Sequence, residues 1–271
     1  MKRRILLPVG AALALVLGAC SDSTGPADDG APPQLNADVA AMAADAVGED
    51  VDIMRDPNFR FHIGFVAPPG GFHLFQCDYD AASGWFLCPD VTVGPLTLTR
   101  TFQLRTVLGD PMDAWDEEQT AEVQVISSMA GSINREFMEA SISRDRDYTV
   151  SGLQGNEQTR TWNGTGEDEV ERSLHRDGGP TRTYDMSASA IVDDVVVPHF
   201  NNQNMDPWPL SGSITREVTV TWTRDGETRT HTRTVVVTFD GTQFATLTVT
   251  GPNGTETFEV DLAERRSHRR P

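Results

Sequence analysis

The chain has 271 residues and a formal net charge of −18, from 22 basic against 40 acidic residues, with 38% hydrophobic residues and three cysteines. So acidic a surface repels polyanions, which excludes nucleic-acid binding as a main role. Lys2 is the only lysine, so a chain cut after its first residues keeps no side-chain amine for Schiff-base or lysine-nucleophile chemistry.

Lys2, Arg3 and Arg4 precede an apolar run from Ile5 to Ala19, which gives way to the polar "SDSTGPADDGAPPQ". A basic start, a short apolar middle and small residues at its end predict a cleaved secretory signal peptide over 1–19. The run is about 15 residues and contains Pro8, whereas a helix crossing about 30 Å of hydrocarbon needs about 20. Leu17, Gly18 and Ala19 leading into Cys20 resemble the lipobox of bacterial lipoproteins. That resemblance covers the first 20 residues only. It implies that the Cys20 thiol carries a diacylglyceryl group, that the chain is cut just before it, and that the freed amine is acylated. Several acyl chains make a lasting anchor where one binds reversibly, so the expectation is a tethered chain that does not span the membrane. In such lipoproteins an aspartate directly after the cysteine holds the protein in the inner membrane. Here that position is Ser21 and Asp22 follows one residue later, which implies the outer membrane, facing periplasm or surface.

Residues 20–34 read as the lipidated cysteine and a flexible linker, and 35–56 as an acidic segment with a short helix. Leu35, Val39, Met42 and Ala46 recur at helical spacing, Asn36 is placed as N-cap, and Gly48 interrupts the pattern. The apolar stripe is narrow and alanine-rich, which suits docking on the following domain. Nine carboxylates between Asp22 and Asp56 face the single base Arg55, and they read as a solvated, self-repelling spacer.

With Cys20 assigned to lipid, Cys77 and Cys88 remain. Outside the cytoplasm an even remainder suggests one disulfide. "FHLFQCDYD" and "GWFLCPDV" are strand-like, and a hairpin turning about Ala82-Ser83 sets Asp80 against Trp85, Tyr79 against Phe86 and Cys77 against Cys88. Directly opposed residues of a non-hydrogen-bonded pair lie about 4.5 Å apart at Cα, within disulfide reach.

From residue 57 to 262 most segments alternate apolar with Thr, Arg or Glu, which predicts an all-β, antiparallel, meander-rich domain, either a sandwich or a strongly curled, barrel-like sheet. Ten to twelve strands are expected. "LTLTRTFQL" puts Leu96, Leu98, Phe102 and Leu104 on one face; "ITREVTVTW" does so with Ile214, Val218, Val220 and Trp222. Residues 213–262 read as a four-stranded meander. An Asp225-Gly226 turn pairs Thr223 with Thr228, Thr221 with Thr230 and Thr219 with Thr232. A three-residue loop at Phe239-Asp240-Gly241 sets Val235 opposite Ala245, and an Asn253-Gly254 turn pairs Val249 with Phe258 and Leu247 with Val260. Asn163-Gly164 reads as a further turn. Residues 263–271, with Arg265, Arg266, Arg269 and Arg270, read as a frayed basic tail.

No His pair stands at ligand spacing, and no phosphate loop, nucleophile elbow or EF-hand pattern occurs. No cofactor, metal site or catalytic residue is therefore assigned. Two loops hold the speculative binding residues. "GDPMDAWDEEQT" gathers Asp113 and Asp116 around Trp115, and "VPHFNNQNMDPWPL" collects His199, Phe200 and Trp208. Aromatic and polar side chains on irregular loops suit envelope glycan or protein partners. The expected function is a membrane-anchored envelope lipoprotein with a non-catalytic binding or structural β domain. The alternatives are an envelope hydrolase using Asp113 and Asp116, or a carrier of hydrophobic ligands.

Overall fold

The computed structural model describes residues 31, 35–55, 77–135, 138–155, 157–174, 182–199, 208–224 and 227–269. The signal segment, Cys20 and Phe200 lie outside the described residues, as does the start of the expected β domain. Helix α1 (Leu35–Arg55) is followed by β1 (Asp78–Asp80), β2 (Trp85–Leu87), β3 (Val91–Val93), β4 (Leu96–Arg105), β5 (Pro111–Met112), β6 (Glu122–Arg135) and β7 (Met138–Ser151). Then come β8 (Thr159–Leu174), β9 (Arg182–Pro198), β10 (Ser211–Arg224), β11 (Glu227–Thr238), β12 (Phe244–Gly251), β13 (Gly254–Asp261) and β14 (Arg266–Arg269). Among the described residues these fourteen strands form one antiparallel sheet in the order β1-β2-β4-β6-β7-β8-β9-β10-β11-β12-β13-β14, with β3 and β5 also on β4. The sheet does not close. The fold is thus all-β with one helix, and its strands make a single sheet.

α1 packs on the inward face of β9–β14. Its buried residues include Leu35, Val39, Ala40, Ala43, Ala44, Ala46, Val47, Val51 and Met54, which at 100° per residue cover an arc of roughly 200°. A helix resting on a flat sheet buries about half that, so the sheet wraps around α1, and the alanines let its strands come close. Gly48 does not end the helix. The Arg265 side chain crosses there, with its Cγ 2.6 Å from where a Cβ would stand, and the helix runs seven residues further. Asn36 is not an outer cap either. It lies inside the first turn, accepting from Arg233 Nε at 2.8 Å and donating to Glu256 at 3.0 Å. At the other end the Arg55 guanidinium sits 3.6 Å from the Trp208 ring centroid. α1 therefore points from the end of the sheet holding the β12–β13 turn toward the end where β9 finishes and β10 starts.

The curl has a local cause. Register shifts fall at Trp162/Gly164 between β8 and β9 and at Ser211/Ser213 between β9 and β10. Such bulges bend strands and increase twist. Asp194, at φ 46°, is bridged there by the Asn163 amide, which donates to its carboxylate at 3.1 Å and accepts from its N–H at 2.9 Å. Gly212, at φ 97°, lies where a Cβ would overlap the Asp194 carbonyl. Asn163-Gly164 is therefore a bulge within β8 and not a turn.

The β1–β2 hairpin has the expected register, Tyr79 opposite Phe86 and Asp80 opposite Trp85, and Cys77 is bonded to Cys88 with Cα atoms 4.1 Å apart. Phe86 stacks on Phe102 at 4.6 Å. The β10–β11 threonine ladder is also as expected, with hydroxyl contacts of 2.9 Å at Thr221/Thr230 and Thr223/Thr228.

Two registers differ. Leu247 faces Phe258 and Val249 faces Glu256, because Pro252 has no N–H for the pair that an Asn253-Gly254 turn would require of it; it takes a turn position instead. Val235 faces Val249, not Ala245. Here the loop is long, with Phe239 buried, the Asp240 carboxylate accepting from Thr242, and Gly241 N–H donating to Pro209 O. Both shifts are even, so the same residues still point inward. The basic tail is not frayed: Arg266–Arg269 pairs with β13 as an edge strand. Among the described residues no helix is long and apolar enough to cross a membrane.

Candidate functional site

A cluster of ionisable side chains lies between α1 and the inward face of the sheet. One row of the ladder reads Arg146, Gly166, Ala190, Arg216 across β7, β8, β9 and β10. The two small residues leave a hollow between the arginines. A Cβ on Gly166 would stand 3.0 Å from Arg146 Cδ and Nη1. Asp168, two residues along β8, points into the same hollow, and Asp50 enters it from α1.

The four groups close a ring. Arg146 donates through Nε to Asp50 and through Nη2 to Asp168, each at 2.9 Å. Arg216 spans the same two carboxylates from the opposite side. Tyr148 OH donates to Asp50 Oδ1 at 2.9 Å. Arg144 extends the ring outward, with Nε 3.5 Å from Asp168, Nη2 3.6 Å from Asp45, and a further pair to Glu49. Alternating charge gives each ion an opposite partner in a setting where an unpaired one would cost several kcal/mol.

The surroundings shape the proton affinities. Burial works against the Arg146 charge, but Asp50, Tyr148 and Asp168 outweigh it and raise its pKa. Burial prevails at Arg144 and lowers it, against the pull of Asp168 and Asp45. The Tyr148 phenol is driven well above its ordinary value by burial and by Asp50.

Asp50 and Asp168 are 1% and 2% exposed and the three arginines at most 8%. No substrate reaches such a ring. What it does chemically is bind α1: Asp50, Glu49 and Asp45 are the helix's contribution, and without them three arginines share Asp168 alone. The acidic segment is in this respect no solvated spacer, since three of its carboxylates face arginines of the sheet.

The loop residues are placed as follows. Asp113 is exposed, while Asp116 caps its own turn, accepting from Glu118 N–H at 2.8 Å and Gln119 N–H at 3.0 Å. Trp115 packs against the core edge. His199 contacts Gly152 O through Nε2 at 3.0 Å, and Trp208 receives Arg55. The 152–158 connection links the loops, because Gly155 N–H donates to Glu117 O. The described ends of both expected loops thus lie at one end of the sheet.

An open groove of about 380 Å³ crosses β4, β6, β7 and β8 elsewhere, with the exposed Asp145, Asp147 and Glu167 along its rim. Among the described residues, no three His, Cys, Asp or Glu side chains are grouped to hold a metal ion.

The ring was missed at the sequence level although a signal existed. Arg216 occupies the inward phase of "ITREVTVTW", between residues read as core. No family model matches the chain, and no curated protein or solved structure matches it.

Proposed function

We propose that the protein is a lipid-anchored component of a bacterial cell envelope whose β domain acts by binding or by structure and not by catalysis. The anchor reading rests on Leu17, Gly18, Ala19 and Cys20. The Cys77–Cys88 bond supports an oxidising compartment, where disulfides persist. The observation that carries the non-catalytic reading is the buried ring, which spends its ionisable groups on holding α1 to the sheet. Against the hydrolase alternative, Asp116 is committed to a turn. Against the carrier alternative, α1 packs its apolar arc on the inward face of β9–β14. Ser21 after Cys20 favours the outer membrane.

Fractionation of cells expressing the wild type and Cys20→Ser tests the anchor. The wild type is expected in the membrane fraction, released by detergent and not by salt, and the variant in the soluble fraction. A variant as membrane-bound as the wild type would overturn the reading.

A further inference from the structure

Among the described residues, five of the eight large exposed apolar side chains lie toward the same end of the strands. Val107 and Leu108, 75% and 84% exposed, form the tip of the β4–β5 connection. The tip is built: Thr106 Oγ1 accepts from the N–H groups of Leu108 and Asp110, and Gly109 N–H donates to Thr106 O. Leu210, Phe244 and Ile53 are also exposed. Ladder registers carry the β4 end to the starts of β6, β8, β10 and β12, and Ile53 lies in the last turn of α1, beside that same end. Single exposed apolar residues are ordinary, but Val107 and Leu108 are adjacent, largely exposed and held on a formed turn.

The same end is acidic. Asp110, Asp113, Glu117 and Glu118 are exposed beside the tip. The nearby cations are engaged, Arg105 with Glu122, Arg55 with Trp208, and Arg265 with Asp52 and Glu49. Such a surface disfavours anionic lipid and attracts cations.

We infer that this rim is a docking surface for a cationic, amphipathic polypeptide segment, with Val107 and Leu108 as its apolar anchors. Resting on the lipid-anchor reading, the rim is also the end away from the membrane. α1 starts toward the opposite end, where Asn36 meets Glu256, and the tether precedes it. The tip is thus presented outward.

The test uses the full chain in nanodiscs of phosphatidylcholine. A fluorescent 14-residue Leu/Lys peptide of amphipathic helical pattern is titrated against loaded and empty discs. Loaded discs are expected to bind it more tightly, and the Val107→Ser/Leu108→Ser double variant to weaken that binding about tenfold or more. Ile191→Ser, an exposed residue away from the rim, is expected to leave binding unchanged. Equal binding by loaded and empty discs, an unaffected double variant, or an equal loss in Ile191→Ser would each overturn the inference. In the same discs, a dye on Leu108→Cys is expected to transfer less energy to acceptor lipid than one on Asn253→Cys; the reverse would overturn the outward placement. A chain that does not enter the discs contradicts the anchor reading instead, and the peptide titration is then read in buffer.

Discussion

Asp50→Ala removes the one ring member supplied by the helix. The side chain is 1% exposed and pairs with Arg146, Arg216 and Tyr148. Its loss leaves those two guanidinium groups buried around Asp168, with a phenol lacking its acceptor. Removing one partner of a buried ion pair costs about 3–5 kcal/mol. For a domain of this size that corresponds to a fall in Tm of about 6–20 °C, at about 2–4 °C per kcal/mol. Thermal and urea unfolding followed by circular dichroism measure it, with Asp113→Ala, exposed, expected within about 0.5 kcal/mol of wild type. A double-mutant cycle with Arg146→Ala is expected to show strong coupling, since each single change already breaks the ring. If Asp50→Ala costs under about 1 kcal/mol, or no more than Asp113→Ala, α1 is held by apolar packing alone and the ring is incidental.

Tyr148→Phe, which keeps the ring's ion pairs and deletes one bond to a carboxylate, is expected to cost about 1.5–3 kcal/mol by chemical denaturation. The raised Tyr148 pKa means the folded state holds this proton more tightly than the unfolded chain. Its stabilising contribution is full below the unfolded phenol's pKa, about 10, and is lost as pH rises toward the folded value. Absorbance titration at alkaline pH is expected to show a tyrosine that ionises only as the protein unfolds, and Tyr148→Phe to abolish that step. Gly212→Ala forces a Cβ into the Asp194 carbonyl at φ 97°; a loss of more than about 1 kcal/mol is expected in the same unfolding assay. The Cys77→Ser/Cys88→Ser variant opens a loop closed across a separation of 11 residues and is expected to lose about 2–3 kcal/mol, whereas an unchanged midpoint would show the staple to be idle.

What was legible in the sequence was local. The Cys77–Cys88 hairpin and the Thr219–Thr232 ladder follow from alternation about a short turn, and both are present in the structure. The β12–β13 pairing slipped because the Asn-Gly signal was followed where Pro252, with no N–H to give, decides the turn. Face assignments survived that slip, since an even shift keeps side chains on their side of the sheet. The ring was hidden by distance along the chain: Asp50 lies 96 residues from Arg146 and 166 from Arg216. Alternation still marked Arg216 as inward, between Ile214 and Val218. A charged residue in that phase predicts a buried counter-ion, and the acidic helix was the available source. Asp194 and Gly212, by contrast, reveal the bulges only through backbone angles.

The anchor is tested most directly by the intact mass of the protein extracted from membranes with detergent. The account predicts a mature chain beginning at Cys20 and carrying acyl groups, with Cys77 and Cys88 oxidised. An unacylated chain, or one beginning at any other residue, would contradict it.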